Sequence, residues 1–211
     1  MAQFSGIDLT CVRGERQVFT GLDYALENGD ALVLVGPNGS GKSSLLRLMA
    51  GLLMPNHGQL TWADNAISDD PEGHNARLHY VGHLDAVKPV FNVAENVAFW
   101  AELRPSKVGY DVESALSAFS IGHLEHIPGR YLSAGQKRRV NLSRLLAAHA
   151  PLWLLDEPTT ALDTQTVTQL TNVIAKHRSA GGMVVVSTHT PMDLPGAKTL
   201  DLSNFVGGFI G

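Results

Sequence analysis

Gly36-Pro37-Asn38-Gly39-Ser40-Gly41-Lys42-Ser43 is the stretch that decides the fold. It follows an apolar run, Ala31 to Val35, and opens a run with helical spacing from Ser44 to Leu53. Strand, glycine-rich loop and helix form the setting that a phosphate-binding loop requires. Glycines let successive backbone N–H groups turn inward on β- and γ-phosphates, and the helix N-terminus adds positive potential. In that reading Lys42 reaches the β/γ oxygens and the Ser43 hydroxyl helps to ligate Mg²⁺. Gly36, Pro37, Asn38, Gly39, Ser40, Gly41, Lys42, Ser43 and Ser44 are the candidate phosphate-contacting set. An ordinary glycine-rich turn is the competing reading, and the full motif between strand and helix outweighs it.

Outward from the loop, Leu152-Trp153-Leu154-Leu155-Asp156-Glu157 reads as a buried strand ending in two carboxylates. The first can hold Mg²⁺ through water and the second can orient or deprotonate an attacking water. Taken alone, Asp-Glu-Pro after a strand reads as a capped turn; beside a phosphate loop the catalytic reading prevails. Met183 to Ser187 is a third buried strand, and the apolar runs alternate with helical periods, the rhythm of an α/β protein with a largely parallel sheet. Phe4 to Cys11 and Leu22 to Glu27 are expected as antiparallel strands forming a β edge, with Gly14 and Asn28-Gly29 as turns. Asn92-x-x-Glu95 and Asp111-x-x-Ser114 place capping residues before helical runs, so a helical subdomain is expected over about 85–130, inserted into a core of about 1–84 and 131–211. A helix from about Thr164 to Ser179 should end at Gly181-Gly182.

Composition narrows the function. The 211 residues, 44% apolar, suit a single domain, 1–211, carrying a small insertion. A net charge of −4 supplies no general basic surface for nucleic acid, and only Lys137, Arg138 and Arg139 cluster. The single Cys11 excludes an internal disulfide framework, and no run approaches the roughly 18 apolar residues of a membrane span. Asn38-Gly39-Ser40 and Asn141-Leu142-Ser143 match the glycosylation pattern by chance, since nothing points to secretion.

Leu132-Ser133-Ala134-Gly135-Gln136 reads first as a capping box, Ser133 to Gln136, opening a helix through Leu142, Leu145 and Leu146. At this point the chain resembles the ATP-binding cassette (ABC) ATPases, whose Leu-Ser-Gly-Gly-Gln signature lies between the phosphate loop and the Asp-Glu strand. The order is kept along the whole chain: phosphate loop, helical insertion, signature, Asp156-Glu157, Ala161-Leu162-Asp163, then His189 after a strand. The resemblance implies a P-loop NTPase fold, ATP with Mg²⁺, and an ATP-dependent head-to-tail homodimer. It further implies that Ser133 and Gly135 bind nucleotide held by the other copy and that Asp163 couples the two sites. His189 would contact the γ-phosphate and attacking water, with Lys42 and Glu157 completing the catalytic set. Outside that context, His189 reads as a loop residue and Asp163 as a helix N-cap.

Three positions depart from the family pattern. Arg13 stands where an aromatic residue usually stacks on adenine; a guanidinium plane can stack on a base, and a solvated turn arginine is the alternative. His83 stands where the family's glutamine links Mg²⁺ to the helical insertion, and an imidazole there is expected to make turnover sensitive to pH near neutrality. Ala134 replaces a signature glycine and should be tolerated where φ is negative.

The short chain, Gly82-His83 and Leu155-Asp156-Glu157-Pro158-Thr159-Thr160-Ala161-Leu162-Asp163 are similar to the haem-exporter ATP-binding subunits of bacterial cytochrome c biogenesis. That resemblance implies a peripheral protein on the cytoplasmic face of the bacterial inner membrane. Its membrane partner would be CcmB-like, alongside CcmC and CcmD, and its work would be haem delivery. A cassette serving another transported substrate, or a soluble non-transport cassette, is the alternative. No direct haem binding is expected: there is no Cys-x-x-Cys-His, and His57, His74, His79, His123 and His126 read as loop residues. Phe91, Phe99 and Trp100 in the insertion, the expected docking surface, read as either core or contact residues, the spacing of Phe99 and Leu103 favouring core.

Overall fold

Parallel strands buried on both faces read as unbroken apolar runs, and the five strands that build the centre of this protein include three such runs. The computed structural model describes residues 3–103, 111–189 and 192–206. In chain order the elements are β1 (Phe4–Arg13), β2 (Arg16–Leu26), β3 (Ala31–Val35), α1 (Lys42–Met49), β4 (His57–Trp62), β5 (Asn65–Ala66), α2 (Pro71–Ala76) and β6 (Leu78–Val81). There follow α3 (Val93–Glu102), α4 (Val112–Ala118), α5 (Ala134–Ala147), β7 (Leu152–Asp156), α6 (Thr164–Ser179), β8 (Met183–Ser187) and β9 (Lys198–Asp201). The parallel sheet runs β6-β7-β8-β3-β9, and a second sheet, β2-β1-β4-β5, is antiparallel.

Apolar side chains sort into two cores, one on each side of the parallel sheet. Leu45, Leu46, Leu48 and Met49 of α1 pack with Leu32, Leu34, Leu152, Leu154 and the antiparallel sheet. Val93, Val97, Leu116, Phe119, Leu142, Leu145, Leu170 and Ile174 cover the opposite face, against Trp153, Leu155, Val184 and Val186. The helices α3 and α4 of the insertion therefore share a core with α5, α6 and the sheet; residues 104–110 of that range lie outside the described residues.

The caps form as the sequence predicts. Asn92 with Glu95 and Ser133 with Gln136 make reciprocal capping boxes, and Asp111 and Asp163 accept from Ser114 N and Thr166 N. Other expectations need correction. The second strand starts at Arg16 rather than Leu22, because a bulge in β2, with Val18 the extra residue between the pairs Cys11–Phe19 and Val12–Gln17, breaks the alternation and buries Val18 and Phe19 side by side. The helix after the loop stops at Met49, with Gly51 at φ 70°, rather than reaching Leu53. His74 and His79 are buried rather than loop residues: His74 lies in α2 with Nε2 2.8 Å from Met49 O, and His79 lies in β6 with Nε2 2.7 Å from Ala148 O. Phe91, Phe99 and Trp100 are half-buried rather than core. Their rings pack on one another while Val93, Asn96, Val97 and Ala101 take the inner face of α3.

His177 of α6 lies flat on Trp153, ring centroids 3.7 Å apart, with Nε2 3.3 Å from Met183 O. Burial lowers its pKa from 6.5 to about 4, the nearby His149 adding to the shift. The unfolded chain therefore takes up a proton that the fold resists, so this contribution to stability is complete above pH 6.5 and is lost as pH falls towards 4. Allowing for partial solvent screening, about 1 kcal/mol should be lost by pH 5, roughly 3 °C of melting temperature. The check is the thermal midpoint at pH 7 and pH 5, where His177→Gln should fall less than the parent.

Candidate functional site

A parallel sheet gathers the carboxyl ends of its strands along one edge, and here four neighbouring strands each deliver a residue predicted to act. The phosphate loop leaves β3, Thr188 and His189 follow β8, Asp156 and Glu157 end β7, and Gly82-His83 follow β6. Arg13, Asn38, Gly39, Gly41, Lys42, Ser43, Ser44, His83, Glu157 and His189 line one open cleft of about 510 Å³.

The loop takes its shape from Gly36 (φ 133°) and Gly41 (φ 104°). A Cβ on Gly41 would stand 2.6 Å from Val18 and 2.9 Å from Phe19, so glycine is required there twice over. Gly41 is also the N-cap of α1 and has no side chain to cap it, which leaves the first-turn N–H groups for another acceptor. Lys42, 7% exposed, donates from Nζ to Gly36 O at 2.7 Å and to Pro37 O at 3.2 Å, so the ammonium lies across the loop. The Ser40 hydroxyl is buried beneath Gly36.

Asp156, 2% exposed, accepts on Oδ1 from Ser43 Oγ at 3.1 Å and from Ser187 Oγ at 2.7 Å. Ser187 pairs with Asp156 across the β7–β8 register and escaped the sequence reading; a hydroxyl closing an otherwise apolar strand is the signal that could have found it. The Ser43 and Asp156 oxygens form the hard donor set that Mg²⁺ takes together with substrate phosphates. The next residue, Glu157, is left-handed at φ 49°, a conformation costing about 1 kcal/mol for a residue with a Cβ. Its amide donates to Ser187 O at 3.0 Å, and its carboxylate accepts from the His189 amide at 3.3 Å, with His189 Nε2 3.4 Å away. A carboxylate so held, facing the cleft beside the phosphate loop, can receive a proton from water.

Arg13 and Arg16 face each other at the β1–β2 turn above the loop, and Arg16 Nη2 donates to Gly39 O at 3.3 Å. Arg16 is a cleft residue that the sequence reading did not single out. His83 is exposed at the cleft mouth. Ala134 takes helical backbone as the first residue of α5, so its methyl group carries no conformational penalty.

Ser133, Gly135 and Asp163 do not line this cleft. Ser133 caps α5 at the surface. A Cβ on Gly135 would lie 2.9 Å from the carbonyl oxygen of Ala161, itself at φ 63°, so the start of α5 is laid directly on the segment leading to Asp163. Arg139 of α5 donates to Asp163 Oδ2, and the Asp163 carboxyl is held below the usual range by its bonds from Thr166, with Arg139 adding to this.

The sequence profile of the family described as ABC transporter matches residues 19–160. A protein of Paramagnetospirillum magneticum called cytochrome c biogenesis ATP-binding export protein CcmA is 60% identical over 96% of this chain and 94% of its own length. A CcmA of Rhodospirillum rubrum is 61% identical over 97% of this chain and 87% of its own. Among solved structures, the dimeric post-hydrolysis state of the ATP-binding cassette MJ0796 bound to ADP and Pi superposes with a TM-score of 0.78 at 24% identity. The match covers 89% of this chain and 88% of that one, a likeness of fold.

Proposed function

This chain belongs to the ABC transporter family, and on that premise we propose that it is the ATP-hydrolysing subunit of a transporter complex serving cytochrome c biogenesis, where it powers haem delivery. The ATPase rests on one observation: the phosphate loop, Glu157 and His189 converge on a single cleft at the carboxyl ends of adjacent parallel strands, with the buried Asp156 bonded to Ser43 of that loop. The biological setting rests on relatives of about 60% identity whose names place them in cytochrome c biogenesis.

In the proposed reaction the loop amides and Lys42 bind the β- and γ-phosphates of ATP, and Arg13 stacks on the adenine. Ser43 and Asp156 would hold Mg²⁺, with His83 a further candidate at the cleft mouth, and the bound ion would supply screening of the phosphate charge. Glu157 accepts a proton as the water oxygen bonds to the γ-phosphorus and the bond to the bridging oxygen breaks, giving ADP and phosphate. His189 orients that carboxylate and contacts the γ-phosphate. Ser133 and Gly135, outside the cleft of their own chain, reach the γ-phosphate in a second copy packed head to tail, and Asp163 lies at that contact. The α5 N-terminus is suited to this, because a helix start is an anion site.

Among the described residues no helix is long and apolar enough to cross a membrane. In this proposal the complex takes a transmembrane partner, CcmB-like and accompanied by CcmC and CcmD, with this subunit peripheral on the cytoplasmic face of the inner membrane; the reading is supported by the relatives named for cytochrome c biogenesis. The test is haem staining of c-type cytochromes in cells lacking the gene. Staining should disappear, return with the intact protein and stay absent with Lys42→Ala. Normal staining without the gene would refute the haem role and leave the ATPase to be judged on its own.

A further inference from the structure

Arg138 takes no part in the reaction just outlined, yet it is 3% exposed and uses all five of its N–H donors. Nε donates to Pro158 O at 3.2 Å; Nη1 donates to Gly82 O at 3.0 Å and Asp85 Oδ1 at 3.1 Å; Nη2 donates to Asp156 O at 2.9 Å and Glu157 O at 2.6 Å. Three segments distant in sequence meet on one guanidinium: the helix that starts at Ser133, the loop that carries His83, and the end of the strand that carries Glu157.

We propose that Arg138 is a positioning residue for hydrolysis, which sets the place of Glu157 and ties it to residues 82–85. The backbone supplies the reason. Successive carbonyls of a strand point to opposite sides, whereas those of Asp156, Glu157 and Pro158 all turn to one guanidinium. That requires the chain to bend at Glu157, which is where the left-handed φ of 49° occurs. The bend costs free energy, and the charge-assisted bonds from Arg138 offset it. The bend also aims the Glu157 side chain into the cleft. A displacement of Gly82 or Asp85 acts on the same guanidinium and is passed to the base. The loop is braced further along the helix, since Asn141 Nδ2 donates to Asp85 Oδ1 at 3.3 Å, Arg144 Nη1 to Asn141 Oδ1 at 3.0 Å and Arg144 Nη2 to Tyr80 O at 2.7 Å. Lysine cannot replace this arrangement, because three donors on one nitrogen do not span acceptors spread around a plane.

This role rests on the assignment of Glu157 as the base. The experiment measures ATP turnover and ATP affinity of the subunit purified with its membrane partners, as parent, Arg138→Lys, Asp85→Asn and Lys42→Ala, with Arg138→Lys and Asp85→Asn repeated in a Glu157→Gln background and compared with Glu157→Gln alone. Arg138→Lys should lower turnover at saturating ATP by about 30-fold and leave ATP affinity within about twofold, and Asp85→Asn should lower turnover by about fivefold. In the Glu157→Gln background neither should slow the residual single-turnover rate further, because the group they position is gone. A parent-like rate in Arg138→Lys, or losses that multiply with Glu157→Gln, would overturn the proposal. If Arg138→Lys does not fold, Asp85→Asn decides alone, and unchanged turnover overturns the link to the loop. Parent turnover that survives Lys42→Ala would refute the ATP site itself; a normal rate in Arg138→Lys beside an inactive Lys42→Ala refutes only the positioning role.

Discussion

Glu157→Gln should slow ATP hydrolysis about 10³-fold while ATP still binds, because an amide keeps the shape of the side chain and cannot take the proton from water. The affinity should hold because the phosphate loop, Lys42 and Ser43 follow β3, and the Asp156 carboxylate that accepts from Ser43 is left in place by the change. With hydrolysis blocked and binding intact, the ATP-bound pair of cassettes should accumulate, since ligand at an interface stabilises the assembled form by mass action. Size-exclusion chromatography with and without ATP reads this directly, the variant eluting as a dimer only with nucleotide. A variant that hydrolyses at the parent rate would remove Glu157 from its role.

Lys42→Ala should fail earlier in the sequence, at binding. The lysine Nζ lies between the Gly36 and Pro37 carbonyls, at the place where phosphate charge would concentrate. Truncation leaves the loop amides and helix N-terminus facing several negative charges without the ammonium that lies across the loop. A loss of ATP affinity or turnover of at least about 10²-fold is expected, on the scale of removing one preorganised electrostatic donor. Titration with a fluorescent ATP analogue separates this variant from Glu157→Gln, which should bind normally. Equal affinity in the two variants would contradict the division of labour.

The two sites of failure were legible in the sequence because each depends on a contiguous run. A phosphate loop is read from Gly36 to Ser43, and a strand with a catalytic end from Leu152 to Glu157, without knowledge of what lies beside them. The strands β3, β7 and β8 were legible for the same reason, since burial on both faces leaves no polar residue before the closing Asp156 of β7 and Ser187 of β8 to confuse the pattern. β4 is the opposite case: it begins His57-Gly58-Gln59, exposed, and owes its pairing to β1 rather than to its own composition. β6 contains two polar-looking residues in four, and the Ala148 carbonyl is a partner that helps to make a buried His79 acceptable.

Contacts between distant segments were harder still. Ser187 matters because register sets it against Asp156, and Arg138 matters because Asp85 and three carbonyls of the 156–158 turn converge on it. In the sequence Arg138 is one of three adjacent cations, indistinguishable from a solvated helix face. Burial and bonding separate it from its neighbours, and neither is encoded locally.

The close approach of Gly135 to the Ala161 carbonyl, joined by the Arg139–Asp163 pair, bears on how cassettes can be recombined. Residues 133–139 and 157–163 form one interchangeable unit, because each supplies the complement of the other's shape and charge. A chimaera that exchanges both between related cassettes should keep this joint intact. One that exchanges a single segment inherits a mismatch at this joint.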